Sequence, residues 1–126
     1  MKFLAALLLL PLLLPRPACA QTKALIDRQT HRFYLSANIR LDHRIFGYAA
    51  ADTTARKLIL FSIFTSDVKG NPHHCPLGAY YDTSGLPREA DISWTGEKPG
   101  FVRLVFRNGQ QPATPFYIRR QFVTFR

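Results

Sequence analysis

Cross-linking is all but excluded by this sequence. It has two cysteines in 126 residues, and the first, Cys19, lies in an N-terminal stretch with the character of a secretory signal. That leaves Cys75 alone, so no intramolecular disulfide can form in an oxidising compartment and stability must come from packing. Acids are scarce too: eight Asp and Glu stand against 17 Lys and Arg, a formal net charge of +9. The sequence has no phosphate-cradling glycine loop, no GxSxG elbow, no HExxH helix and no second metal-type Cys or His pair. These absences lower the prior for hydrolase and nucleotide chemistry, and no catalytic residue or cofactor is assigned. Internal repeats and low-complexity tracts are missing as well.

At the N-terminus, Lys2 supplies a positive start, Phe3 to Leu14 is an apolar core of 12 residues, and Ala18-Cys19-Ala20 gives a small-x-small cleavage pattern. A membrane-spanning helix needs about 20 apolar residues, and Pro11, Pro15, Arg16 and Pro17 end this run short of that. Acylation of Cys19 as a lipoprotein is the alternative, but that signal wants an aliphatic residue where Arg16 stands. Cleavage after Ala20 is the expectation, giving a secreted or periplasmic domain of 106 residues spanning 21–126, with no transmembrane span. A chain of that size buries roughly 65% of its unfolded surface, enough for a core without staples.

Loss of Lys2 and Arg16 takes the formal charge to +7. From Phe101 onward Arg103, Arg107, Arg119, Arg120 and Arg126 occur with no acid among them. Such a field attracts anionic partners, whether polysaccharide, lipid headgroup or nucleic acid, and secretion argues against the last. The ordinary alternative is that these arginines form the wet face of a sheet, their stems covering apolar neighbours.

Along the chain, strand signals dominate. Phe33, Leu35, Ala37, Ile39 and Leu41 alternate with polar or small residues, the period-two signature of a half-buried strand. Ile45 to Tyr48 forms a short strand bent at Gly47, and Asp52-Thr53-Thr54 a turn. Leu58 to Phe64 (LILFSIF) is apolar at nearly every position, which suits a central strand covered on both faces, with Ser62 bonded to nearby backbone. Thr65 to Pro76 reads as loop, because Gly70-Asn71-Pro72 is a turn cluster. Leu77 to Asp82, Asp91 to Thr95 and Phe101 to Arg107 follow as strands, the last two joined through Gly96 to Gly100. Asn108-Gly109 is a hairpin signal, complicated by Pro112 and Pro115. In the final segment, Phe116 and Ile118 share one parity and Val123 and Phe125 the other, a switch that a bulge near Arg119-Arg120-Gln121 would explain. The expected fold is all-β: a small antiparallel sandwich or barrel of about six to seven strands without an amphipathic helix.

Three constellations could carry chemistry. In His73-His74-Cys75, imidazole and thiolate are metal ligands, with Asp67 or Asp82 as possible oxygen donors and His31 or His43 available only if the fold brings them near. The same loop offers Cys75 as a nucleophile beside a histidine base, against a small apolar side chain that packs the loop down. Tyr80 and Tyr81 would face opposite sides of a strand, and the outward ring beside Tyr34, Tyr48 or Trp94 would make an aromatic platform for sugar or peptide.

The expected function is a non-catalytic binding or accessory module for an envelope polysaccharide or protein partner, with Arg103, Arg107, Arg119, Arg120, Tyr80 and Tyr81 as binding residues and no nucleic-acid role. One alternative is a metal protein or cysteine-dependent enzyme using His73, His74 and Cys75. Another is an interaction subunit whose C-terminal edge, Phe122 to Phe125, accepts a partner strand.

Overall fold

A computed structural model describes residues 23–36 and 44–126. Residues 1–22, where the secretory signal is expected, and 37–43, the second half of the expected alternating strand, lie outside the described residues. Among the described residues, nine strands form two open sheets. The elements in chain order are β1 (Ala24–Ile26), β2 (Phe33–Tyr34), β3 (Ile45–Tyr48), β4 (Lys57–Phe61), α1 (Thr65–Val68), β5 (Ala79–Tyr80), β6 (Ala90–Lys98), β7 (Phe101–Asn108), β8 (Thr114–Arg119) and β9 (Val123–Phe125). Among the described residues no helix is long and apolar enough to cross a membrane.

The larger sheet has the order β5-β4-β3-β8-β7-β6 and the smaller β2-β1-β9. Both are mixed, which corrects the expectation of a purely antiparallel fold. β4 runs parallel to β5 and β1 parallel to β9, while β6, β7 and β8 form an antiparallel meander. Strand direction depends on how the chain returns to a sheet, and local alternation does not record that.

One core is shared by both sheets. Ala24, Ile26, Phe33 and Val123 of the smaller sheet pack with Ile59, Phe61, Val102, Leu104, Phe116 and Ile118 of the larger. β4 is buried on both faces, as its unbroken apolar run implies: Leu58, Ile59, Leu60 and Phe61 are all buried. It stops at Phe61 rather than Phe64 because Ser62 turns the chain, its hydroxyl accepting from Phe64 N at 3.1 Å.

The parity switch after β8 has a different cause from a bulge. Arg120–Phe122 forms a 3-10 turn that carries the chain out of the larger sheet and into the smaller. Phe116 and Ile118 therefore face the core from one sheet, and Val123 from the other. Asn108-Gly109 likewise opens a longer connection. Gly109 takes positive φ (61°) and its N–H donates to Glu89 O at 3.2 Å, so β8 resumes only at Thr114.

Candidate functional site

The loop after β4 is built around a buried carboxylate. The short α1 turn brings Asp67, 4% exposed, back beneath the end of β4. There Oδ2 accepts from Ser62 Oγ at 2.7 Å and from Arg44 Nε at 2.5 Å, while Oδ1 meets His73 Nε2 at 3.1 Å. Burial alone would raise the Asp67 pKa, but the hydrogen bonds from Ser62, Arg44 and His73, with the Arg44 charge, outweigh it and hold the carboxyl at about 2. An ionised carboxylate only accepts, so His73 Nε2 carries the proton in this contact. The serine hydroxyl is spent on the carboxylate, and the histidine is an orienting donor. The cluster clamps the loop to the sheet.

Beyond the clamp, positive φ at Gly70 (79°), Asn71 (49°) and His74 (55°) winds the loop tightly. The Asn71 amide brackets the next turn, donating to Cys75 O at 2.9 Å and accepting from Cys75 N at 3.1 Å. The three residues of His73-His74-Cys75 consequently part company. His73 turns to Asp67, His74 is exposed, and Cys75 is buried at 2% exposure. No group of three potential metal ligands occurs among the described residues. Burial pushes the Cys75 thiol up, partly offset by the Lys57 charge, so little thiolate exists at neutral pH. Modification of Cys75 by Ellman's reagent is expected to be on the order of 100-fold slower in the native protein than in urea, and equal rates would overturn this placement.

The tyrosine pair divides as well. Tyr80 packs its ring against Phe61, centroids 6.0 Å apart, and its hydroxyl donates to Leu77 O at 2.5 Å. Tyr81 stays 41% exposed.

The four arginines divide by register. On the outer face of the larger sheet, Phe101 pairs with Arg119 and Arg103 with Tyr117, and Tyr48 pairs with Tyr117 on its other side. These partners share a face because directly paired residues project together. Lys98 faces Phe101 from β6, and Lys57 faces Tyr48 from β4. Rings run across this face from Phe46 to Tyr48 (6.3 Å between centroids) and on to Phe101 (6.5 Å), with His73 edge-on to Phe46 at 5.6 Å. The Lys57 ammonium lies 5.1 Å from the Phe46 ring centre. Burial raises the Tyr48 hydroxyl pKa, and the Arg119 charge opposes the shift. The result is an aromatic row bordered by Lys57, Lys98, Arg103 and Arg119, none of them in an ion pair among the described residues.

Arg107 and Arg120 sit elsewhere. Arg107 is at the far end of β7, in register with Asp91. Arg120 belongs to the 3-10 turn, within 3.7 Å of Glu97, and donates to Val123 O at 3.0 Å. Sequence reasoning missed Phe46, Phe101, Tyr117, Lys57 and Lys98. The alternation that turns Val102 and Leu104 inward also turns Phe101 and Arg103 outward, and that parity was the available signal. No known family model matches the chain, and neither a curated protein nor a solved structure is significantly similar to it.

Proposed function

We propose that the domain is a non-catalytic binding module of the secreted or periplasmic space, and that it takes an acidic envelope polysaccharide along the outer face of its larger sheet. The observation that carries this reading is the row Phe46–Tyr48–Phe101 with Tyr117 beside it, bordered by four cations. Sugar rings offer apolar C–H faces that suit aromatic surface, and their carboxylates suit guanidinium and ammonium groups. Neither rival function finds comparable support. The thiol of the cysteine-dependent alternative is buried and His73 is engaged by Asp67, and the β9 edge is three residues long with Val123 O already accepting from Arg120.

Retention on polygalacturonate beads tests this. Wild-type protein is expected to bind at 50 mM salt, to elute below about 0.5 M because exposed charges are screened over a few ångströms at that ionic strength, and to ignore dextran beads. Replacing both Arg103 and Arg119 by alanine is expected to weaken binding about tenfold, at up to about 1 kcal/mol per exposed contact. Arg107→Ala, beside Asp91, is expected to change it less than about twofold. Absent retention, or retention indifferent to salt, sinks the reading.

A further inference from the structure

A cleft lies at the edge of β6. β6 pairs Trp94 with Leu104 and Gly96 with Arg103, so Thr95 is the extra residue of a bulge. A bulge at a sheet edge re-aims side chains and ends regular pairing. Beyond it the β6 edge is met by the turn before β2. Arg32 forms an antiparallel bridge with Ser93, and Trp94 N donates to His31 O at 2.7 Å. His31 sits at φ 64°, which brings its ring edge-on to the Trp94 indole at 5.3 Å and 78°. Between them His31, Trp94, Thr95 and Gly96 line an open cleft of about 460 Å³, within the range of about 300–1,000 Å³ typical of small-molecule sites.

The chemistry of the lining is specific. Trp94 is half-buried, with Phe125 edge-on to it at 5.0 Å. Its Nε1 is shut away from solvent and finds no acceptor among the described residues. The indole therefore shows the cleft carbon surface, not a donor. Polar contacts come from the rim: the His31 imidazole on one side and the Thr95 hydroxyl on the other. Thr95 Oγ1 donates to Arg103 O at 3.3 Å and accepts from Arg103 Nη1 at 2.8 Å. That tie joins the mouth of the cleft to one of the cations bordering the aromatic row. Thr95 thus belongs both to the cleft lining and to the hydrogen-bonded surroundings of Arg103.

We infer that the Trp94 cleft is a subsite for one pyranose unit of an acidic glycan, its C–H face against the indole and its carboxylate toward Arg103. This rests on the polysaccharide reading above and deepens it, because it predicts that short oligomers bind as well as polymers. Aromatic stacking supplies affinity without demanding a particular hydroxyl pattern, and the rim hydroxyl and imidazole supply orientation.

The test uses the single tryptophan of the chain as its own reporter, with tetragalacturonate as probe. Titration of wild-type protein is expected to give a saturable change in Trp94 emission, and maltotetraose a response at least about tenfold weaker in affinity, since it lacks the carboxylates that Arg103 attracts. A blocking variant is available that should not disturb the fold. A Cβ added at Gly96 meets nothing within 4 Å, and a β-branched residue suits a strand. Gly96→Ile is expected to reduce tetramer affinity at least about tenfold by filling the cleft. Calorimetric binding of the tetramer with unchanged emission, wild-type affinity in Gly96→Ile, or equal responses to the two tetramers would each overturn the cleft and leave the outer face standing. A tryptophan response in a protein that the beads do not retain would leave the cleft standing and remove the outer face. No response and no retention would remove both.

Discussion

Asp67→Ala is expected to destabilise the domain by about 3 kcal/mol at neutral pH, the scale of losing the acceptor of a buried charged cluster. Ser62 is fully buried and would be left with its hydroxyl proton unpaired, whereas Arg44, about half exposed, can turn to water. Asp67→Asn should be nearly as damaging. A carboxamide accepts at one oxygen only, and its NH2 group would be set against the Arg44 or His73 donor. The dependence on pH follows from the carboxyl, which titrates at about 2 in the folded chain against an ordinary 3.8. A depressed folded pKa gives stability that is fully present above the unfolded value and is lost as pH falls through the folded one. The gap between wild type and Asp67→Asn should therefore be constant above about pH 5 and close as pH falls from 3.8 towards 2. Urea unfolding at several pH values reads this directly. A gap that is independent of pH, or a loss under about 1 kcal/mol at pH 7, would mean that the cluster is incidental. Release of the clamp also frees the loop that buries Cys75, so native thiol reactivity should rise in the same variants.

How much of this was legible depends on whether the pattern is local. LILFSIF declares a two-sided strand because burial on both faces leaves no alternation, and Leu58 to Phe61 are buried as that requires. The alternation from Phe101 to Arg107 likewise fixes which face is wet. The parity switch from Ile118 to Val123 was visible, but its cause was not: a 3-10 turn that changes sheets and a bulge that stays in one leave the same trace in sequence. β1 was passed over because three residues, ALI, are too few to show a period, although Ala24 and Ile26 are completely buried. The Asp67 clamp was beyond sequence. Its members, Arg44, Ser62, Asp67 and His73, are joined by a chain reversal and not by any spacing rule. The aromatic row is a matter of register. Phe46, Tyr48, Phe101 and Tyr117 are unremarkable singly, and only the pairing of β3 with β8 and of β8 with β7 lines them up.

That register hangs on one residue with no side chain, and Gly47→Ala is expected to cost about 2 kcal/mol, in the range for overpacking a close-packed core. Gly47 pairs with Ile59 on the inner face. A Cβ there would meet the Phe116 ring at Cδ2 and Ile59 Cγ2 at 2.5 Å, and both neighbours are completely buried. Its φ is not in the left-handed region, so the objection to alanine is spatial and not conformational. Alanine would normally gain about 0.4–1 kcal/mol over glycine by restricting the unfolded chain, which a clash of this depth outweighs. Relief should come from the ring: Phe116→Leu in the Gly47→Ala background is expected to recover at least about 0.5 kcal/mol relative to additivity, the signature of two groups in contact. Additive losses would show that the strand has moved away as a whole. The functional consequence follows from topology, since Tyr48↔Tyr117 is the pairing that joins β3 to β8, and a bulge already falls between Gly47 and Tyr48. Pushing β3 off Phe116 displaces Tyr48 from between Phe46 and Phe101. Gly47→Ala should therefore weaken retention on polygalacturonate even at temperatures where it is fully folded, and Phe116→Leu should restore stability and retention together. Restored stability without restored retention would separate the core from the binding face, and the aromatic row would then not depend on how β3 is seated.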